Sequence, residues 1–185
     1  MTEPAAPLER QFGDVRVPVL VVTAGLPGSG KSTIAEIISG RLGATAISVD
    51  PIEAAILRAG IDADQPTGLA AYLVAEAMAE QALLAGRSVI VDAVNAVEPA
   101  RLQWRDLAER CTVQLRIIET VCSDAALHAE RLAKRASLVS ANAVEQSVED
   151  YAEWKGGSAE LPRVTLDTSR PLGGNVEAAL AFLRD

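Results

Sequence analysis

Short aliphatic runs alternate along this chain with longer segments whose apolar residues recur at helical spacing. The first run, residues 17–23, is a continuous stretch of β-branched and aliphatic residues, which is typical of a strand buried on both faces. The pattern predicts strands at residues 17–23, 45–49, 88–92, 112–120 and 163–166. Because helical segments separate these strands, we expect one α/β domain with a mostly parallel five-stranded sheet flanked by helices.

The helical segments carry recognisable start and stop signals. Asp50 is expected to cap the second helix because Pro51 suits the first helical position, and Ser123 is expected to cap the fifth. The predicted helices span residues 33–42, 51–59, 67–84, 98–110, 124–135, 143–154 and 176–184. Residues 1–16 are predicted to be a flexible extension, and residues 17–185 a single domain.

Composition narrows the classes of partner. Hydrophobic residues make up 49% of the 185 residues but aromatic residues only 3%, so aliphatic and alanine side chains must build the core. The formal net charge of -8 disfavours long nucleic acids and anionic membranes as partners. Cys111 and Cys122 show no metal or disulfide spacing, and the sequence shows neither a signal peptide nor a membrane span. We therefore expect a cytoplasmic protein that is a monomer or a homodimer.

The strongest chemical signal follows the first predicted strand. Residues 25–32, the phosphate loop, fit the pattern G-x-x-x-x-G-K-[ST] between a strand and a helix. Backbone N–H groups and the helix N-terminus would hold phosphate oxygens, with Lys31 on the β- and γ-phosphates and Ser32 on Mg²⁺. The residues predicted to bind ATP here are Gly25, Gly28, Ser29, Gly30, Lys31, Ser32 and Thr33. A turn without a ligand would need neither the lysine nor the serine.

Polar residues follow the second and third predicted strands, at the sheet edge where ligands of α/β proteins bind. Asp50 is interpreted either as a helix cap or as a base that accepts a proton from a substrate hydroxyl, and both roles can coexist. Asp92 would either bind Mg²⁺ through water or orient the acceptor of the phosphoryl group. Asn95 is a further acceptor-side candidate, although asparagine also caps turns.

A basic segment lies between the fourth and fifth predicted strands. Arg131 and Arg135 share one helix face, with Lys134 nearby. In isolation the segment could be a solvated face paired with acids such as Glu130. Beside a phosphate loop, guanidinium groups suit the charge that phosphoryl transfer spreads over oxygens. We therefore predict a helical lid at about residues 131–157, in which Arg131 and Arg135 are catalytic and Arg131 also binds ATP.

These motifs together resemble the P-loop kinases grouped around polynucleotide 5′-hydroxyl kinases, zeta toxins and chloramphenicol phosphotransferase, often labelled AAA-domain ATPases. The resemblance covers residues 17–185, including residues 163–169, which are similar to the last strand and adenine-side loop of this group. It implies the three-layer P-loop NTPase fold. It also implies that Asp50 is the general base and that lid arginines neutralise the transferring phosphoryl group.

One position departs from the polynucleotide kinases of this group. They place an arginine shortly after the base to hold the substrate's phosphate, whereas this chain has Glu53 there and its next arginine is Arg58. Arg58 is thus the acceptor-side candidate for phosphate binding, and the acidic net charge also disfavours a polynucleotide acceptor.

The sequence therefore predicts a kinase that uses ATP and Mg²⁺ to phosphorylate a hydroxyl of a small molecule, nucleoside or nucleotide. The alternatives are a nucleoside monophosphate kinase, a polynucleotide 5′-hydroxyl kinase and an ATP-dependent switch without kinase activity. His128, the one histidine, is expected on a helix surface, and Tyr151 and Trp154 are expected to pack within the lid.

Overall fold

The computed structural model describes residues 17–136 and 151–184, with the side chains of residues 135 and 136 excepted. Its centre is a five-stranded sheet in the order β2-β3-β1-β4-β5. All four neighbouring pairs are parallel, so the prediction of an α/β fold with a mostly parallel sheet is confirmed. The strands are β1 Val19–Ala24, β2 Thr45–Ser48, β3 Val89–Asp92, β4 Gln114–Val121 and β5 Arg163–Asp167.

Six helices flank this sheet within the described residues. They are α1 Lys31–Leu42, α2 Val49–Arg58, α3 Thr67–Leu84, α4 Glu98–Cys111, α5 Ala125–Ala136 and α6 Leu172–Phe182. Helices α1 and α6 cover one face, where Ile34, Ile38 and Val176 pack against Val21 and Ile118. The other face is covered by α2, α3 and α4, so the sheet lies between two helical layers.

Helix α3 shows how an aromatic-poor sequence still builds a dense core. Ala71, Ala75, Ala79 and Ala82 are all buried, at spacings that put them on one face of the helix. Alanine lets a helix approach the sheet closely, and the larger Trp104 and Leu107 of α4 fill the remaining space. The predicted aliphatic and alanine core is therefore confirmed, with Trp104 as a fully buried exception.

Two predicted helix caps are wrong. Helix α2 begins at Val49 after Ser48, so Asp50 lies in its first turn instead of capping it. Pro51 does not have to be the first helical residue. The N–H groups of the first helical turn have no partner inside the helix, so a proline anywhere in that turn costs no hydrogen bond. For α5 the cap is Asp124, whose Oδ1 accepts from the N–H of Leu127 at 3.0 Å. Ser123 instead donates its hydroxyl to Asp167 at 2.6 Å.

Most predicted helix ends lie within two residues of the observed ones, but two helices differ by more. Helix α6 begins at Leu172, earlier than the predicted start at residue 176, despite Gly173 and Gly174 in its first turn. Of the helix predicted at 143–154, residues 151–154 are described and are not helical. The N–H of Ala152 instead donates to the carbonyl of Ala96, which joins this segment to the loop after β3. Residues 143–150 lie outside the described residues, as does residue 185.

The parallel strands bring their carboxyl ends to one edge of the sheet. Ser48 and Asp92 are register partners at that edge, and the phosphate loop leaves it from the end of β1. The polar positions singled out in the sequence after β1, β2 and β3 therefore converge. Among the described residues, no helix is both long and apolar enough to cross a membrane.

Candidate active site

The phosphate loop connects β1 to α1 and has a backbone that glycine alone accommodates at two points. Gly25 has a φ of 137° and Gly30 a φ of 93°, conformations that other residues rarely adopt. A Cβ on Gly25 would collide with the carbonyl oxygen of Thr120, and one on Gly30 would lie 3.0 Å from Thr168. The glycines thus let the loop sit tightly against the ends of β4 and β5.

Lys31 is held over the centre of this loop. Its side chain is 5% exposed, and its Nζ donates to the carbonyls of Gly25 and Leu26, both at 2.9 Å. Because Lys31 is also the first residue of α1, its ammonium adds to the positive potential of the helix N-terminus. Ser32 and Thr33 follow with exposed side chains.

A chain of hydrogen bonds links the phosphate loop to α5. Arg131 donates from Nη1 to the Thr168 hydroxyl at 2.8 Å and from Nη2 to the Thr168 carbonyl at 3.1 Å. The Thr168 hydroxyl in turn donates to the carbonyl of Ser29 at 2.8 Å. The Ser29 hydroxyl lies 2.6 Å from that of Thr120 at the end of β4. The predicted lid arginine is thereby tied to the loop through Thr168.

His128 contributes a second contact between α5 and the phosphate loop. Its Nε2 lies 2.7 Å from the carbonyl of Pro27, and its ring packs beside Gly28. His128 thus lies on the surface of α5, as expected, but on the side that contacts the phosphate loop. Nothing in the local sequence marks this contact, because it depends on how α5 crosses the loop.

A cavity of about 820 Å³ opens beside these groups. The predicted ATP ligands Gly28, Gly30, Lys31, Ser32 and Thr33 line it, together with Arg131 and Lys134 of α5 and residues 168–172. The cavity thus has a positively charged end at the phosphate loop and a second end formed by the loop after β5. Gly25 and Ser29 lie beneath it, where they are buried and shape the loop.

Asp92 lies at the end of β3, next to β1 and β2. Its Oδ1 is 3.2 Å from the Thr23 hydroxyl, and its Oδ2 accepts from the Ser48 hydroxyl at 3.3 Å. These two hydroxyl groups orient the carboxylate at the sheet edge. Thr23 and Ser48 had no distinctive signal in the sequence beyond their positions at strand ends.

Asn95 is buried to 1% exposure and has a φ of 50°. Its Nδ2 donates to the carbonyl of Thr23 at 2.6 Å, and its Oδ1 accepts from the indole of Trp104 at 2.7 Å. Its own N–H donates to the hydroxyl of Tyr72 at 3.0 Å. Asn95 therefore joins β1, α3 and α4 and shapes the loop after β3.

A second cavity, of about 950 Å³, lies among α2, α3, α4 and the loop after β3. Asp50 and Glu53 of α2 line it, as does Val94, whose carbonyl accepts from the N–H of Gly25 at 3.1 Å. Burial raises the pKa of Tyr72 in its wall to about 12, and the carboxylates of Asp50 and Glu53 add to that rise. The carboxylates of Asp50 and Glu53 therefore lie close enough to Tyr72 to act on its hydroxyl.

The structure does not bring all predicted site residues together. Arg58 is exposed at the end of α2, about 12 Å along the helix axis from Asp50, and it does not line the second cavity. The side chain of Arg135 lies outside the described residues, as do residues 137–150 of the predicted lid. Tyr151 and Trp154 pack inward, where both donate to the carboxylate of Glu119.

The residues predicted for Mg²⁺ have suitable chemistry. Ser32 presents a hydroxyl in the first cavity, and Asp92 presents a carboxylate at the neighbouring strand end. Oxygen donors of this kind, few in number and completed by water and phosphate, are what Mg²⁺ usually takes. Among the described residues, no three His, Cys, Asp or Glu side chains form a cluster that could hold a metal without such help.

Comparison with known proteins places these features in context. A family model described as an AAA domain matches residues 20–154. None of the curated proteins compared with the sequence gives a significant match. Similar folds occur in crystal structures of a gluconokinase from Sinorhizobium meliloti 1021, of Chaetomium thermophilum Kti12 with ADP-AlF3, and of the Mycobacterium tuberculosis APS kinase with AMPPNP and APS.

These three structures resemble the chain over nearly its whole length. Their sequence identities are 24%, 18% and 18%, and their TM-scores are 0.63, 0.70 and 0.64. The alignments cover 91%, 89% and 91% of this chain and 93%, 97% and 98% of the other chains. The likeness confirms the predicted P-loop fold, and two of the three structures contain a bound nucleotide or nucleotide analogue.

Proposed function

Because the chain belongs to the AAA-domain family of P-loop proteins, we propose that it is an ATP-dependent kinase acting on a hydroxyl of a small molecule. One observation carries the proposal. Two cavities open near the carboxyl edge of the sheet, one lined by Lys31, Ser32 and Arg131 and the other by Asp50 at the start of α2. The first suits a nucleoside triphosphate and the second suits an acceptor.

In the proposed mechanism the chain first fixes the triphosphate. Loop N–H groups and Lys31 bind its β- and γ-phosphates, and Thr33 contacts the α-phosphate. Ser32 and, through water, Asp92 would hold Mg²⁺, which neutralises charge on the phosphate oxygens. Gly25 and Ser29 support the loop from below. Arg131 would also contact the phosphates, which is supported by its place in the lining of the same cavity and by its bonds to Thr168.

Transfer then needs an activated acceptor in line with the γ-phosphate. Asp50 accepts the proton of the acceptor hydroxyl as that oxygen forms its bond to the γ-phosphorus. The bond from the γ-phosphorus to the β–γ bridging oxygen breaks, and ADP leaves. Asp92 and Asn95 support this step. Asp92 would help to hold Mg²⁺ through water, and Asn95 shapes the loop after β3, which borders the acceptor.

The lid at about residues 131–157 is part of the same proposal. Arg131 and Arg135 would stabilise the charge of the transferring group, and closure over the acceptor would exclude water. The contacts of α5 with the phosphate loop support this, since its first half is already anchored at Pro27 and Thr168. Arg58, being remote from Asp50, has no direct part.

The test compares the rate of phosphoryl transfer to an acceptor between the Asp50→Asn variant and the unmodified protein. We expect a loss of about 100- to 10,000-fold in kcat, the range that removal of a general base produces, with unchanged affinity for ATP. Product formation is measured with ATP, Mg²⁺ and panels of sugars, nucleosides, nucleotides and 5′-hydroxyl oligonucleotides. Asp62→Asn, an exposed carboxylate outside both cavities, is the matched control.

Different outcomes separate the alternatives. Unchanged transfer by Asp50→Asn would show that the base is assigned wrongly. Strong ADP formation that no acceptor stimulates would favour a nucleotide-dependent switch over a kinase. Transfer to a nucleoside monophosphate or to an oligonucleotide end would identify one of the other two kinase classes.

A further inference from the structure

The walls of the second cavity show which class of acceptor it can take. Apolar side chains from α3 and α4 and from the loop between β3 and α4 form most of its lining. Leu69 is 59% exposed, Leu73 53% and Val97 40%, although each lines the cavity. Large apolar side chains left in water around a concavity mark a ligand site, because a ligand would cover them.

The polar groups of the cavity are mostly carboxylates. Asp50, Glu53, Glu76 and Asp106 line it, against one cationic side chain, Arg110, among its described lining residues. Glu53 keeps its place by accepting from the Thr67 hydroxyl at 2.9 Å. An anionic acceptor would therefore meet several like charges and gain little in return.

Two arginines offset part of this charge, because Arg110 pairs with Glu76 and Arg105 pairs with Asp106. The Nη2 of Arg110 donates to Glu76 at 2.6 Å and its Nε to Glu80 at 3.4 Å, so the guanidinium is already shared between two carboxylates. Gln103 also donates to Glu76 at 2.6 Å, which fixes the pair in the wall. A phosphate, sulfate or carboxylate on the acceptor would have to break this arrangement to bind Arg110.

The cavity therefore combines carboxylates with exposed apolar side chains. An organic cation accounts for both features, because its ammonium can approach Glu53 while its body covers apolar surface.

We infer that the acceptor is a cationic amino alcohol with an apolar body, and that the cavity rejects anionic acceptors. This inference rests on the proposed function, since it names the acceptor class of the same site. The hydroxyl would lie toward Asp50, the ammonium near Glu53, and the apolar body against Leu69 and Leu73. Such a ligand matches the cavity in charge and in surface.

The experiment compares three probes with the same phenyl ring and secondary hydroxyl. Phenylethanolamine carries an ammonium, styrene glycol a neutral hydroxymethyl group and mandelate a carboxylate. Binding to the full-length protein with AMPPNP and Mg²⁺ is measured by isothermal titration calorimetry. We expect phenylethanolamine to bind at least about tenfold more tightly than mandelate, with styrene glycol between them, and the difference to shrink at about 0.5 M NaCl.

Two pairs of variants test the carboxylates and the apolar side chains of the cavity separately. Glu53→Gln removes a charge but keeps an oxygen for Thr67, so it should reduce the preference for phenylethanolamine over mandelate by about threefold or more. Glu109→Gln, on α4 outside the cavity, should leave the preference unchanged. Leu73→Ser should weaken all three probes, whereas Leu84→Ser, also exposed on α3 but outside the cavity, should not.

Binding and turnover separate the two proposals. Mandelate binding as tightly as phenylethanolamine, or no binding of phenylethanolamine, would overturn the inference even if another acceptor were phosphorylated. Preferential binding of phenylethanolamine supports the inference, and if no amino alcohol or other acceptor in the panels were then phosphorylated, the kinase proposal itself would fail.

Discussion

Lys31 carries more of the proposed chemistry than any other side chain of the phosphate loop. It is nearly buried and bonded to two loop carbonyls, so its ammonium is positioned before a phosphate arrives. We expect Lys31→Met to lower kcat by about 100-fold or more, as removal of one preorganised charge from an active site does. Steady-state kinetics measure this, and circular dichroism shows whether the variant stays folded. Lys155→Met, exposed and outside both cavities, should keep full activity.

Asn95 shows how a residue chosen for chemistry can have a structural basis. The sequence marked it because it follows a strand end, but its amide bonds Thr23 and Trp104 inside the protein. Asn95→Ala leaves both partners unsatisfied and puts alanine at a positive φ, so the free energy of unfolding should fall by about 2–3 kcal/mol. Urea denaturation measures this. Gln65→Ala, an exposed amide, should change it by less than about 0.5 kcal/mol.

Local sequence explains these residues unequally. The phosphate loop was predictable because its glycines, lysine and serine are adjacent in the chain and each has a separate physical reason. Thr168 and Asp92 could be placed at strand ends, but their partners could not be named. His128 and Trp104 were missed as site-shaping residues because their contacts, with Pro27 and Asn95, depend on how distant helices pack.

Hydrogen bonds connect helix α5, the loop after β5 and the phosphate loop. Arg131 bonds Thr168, and Thr168 bonds Ser29, so the two side chains act through one path. We expect Thr168→Val and Arg131→Gln each to weaken AMPPNP binding by about 5- to 20-fold, and the double variant to lose little more than the stronger single variant. Calorimetric titration of the four proteins measures the coupling. Fully additive losses would show that the two residues act independently.

The bounds of helices depended on contacts that periodicity does not reveal. Helix α3 was predicted residue for residue, because alanine and leucine, both strong helix formers, fill it between Pro66 and Gly86. The helix predicted at 143–154 is wrong at residues 151–154, since the aromatic pair Tyr151 and Trp154 bonds Glu119 instead of continuing a helical face. Two aromatic residues at helical spacing are too short a pattern to distinguish a helix from an irregular segment.

At the scale of the molecule, the alternation of strands and helices was enough to predict the layers and the sheet. The order of the strands was not predictable in this way, and it is the order that sets Asp92 of β3 between β1 and β2. The negative net charge led to the prediction that long nucleic acids and anionic membranes are not partners. The structure shows where some of the charged side chains lie. Several carboxylates line the second cavity, while Lys31, Arg131 and Lys134 line the first.

Arg101 connects distant parts of the molecule. It is 1% exposed, and its guanidinium donates to the carbonyls of Asn95 and Ala96 after β3 and of Ala152 and Glu153, which fall within the range predicted for the lid. It also lies 4.0 Å from the centre of the Trp154 ring. Lysine has a single ammonium in place of this planar fork, so it cannot make all four bonds in their present directions.

We therefore expect Arg101→Lys to lower the free energy of unfolding by about 2–4 kcal/mol, because it leaves buried carbonyls without donors. Arg105→Lys is the matched control on the same helix, since Arg105 is 39% exposed and pairs with Asp106 in solvent, where an ion pair contributes less than about 1 kcal/mol. Urea denaturation measures both. Because Ala96 lines the second cavity, where the acceptor is proposed to bind, Arg101→Lys should also raise the KM of the acceptor more than that of ATP. Equal destabilisation by the two variants, or equal changes in the two KM values, would contradict the role assigned to Arg101.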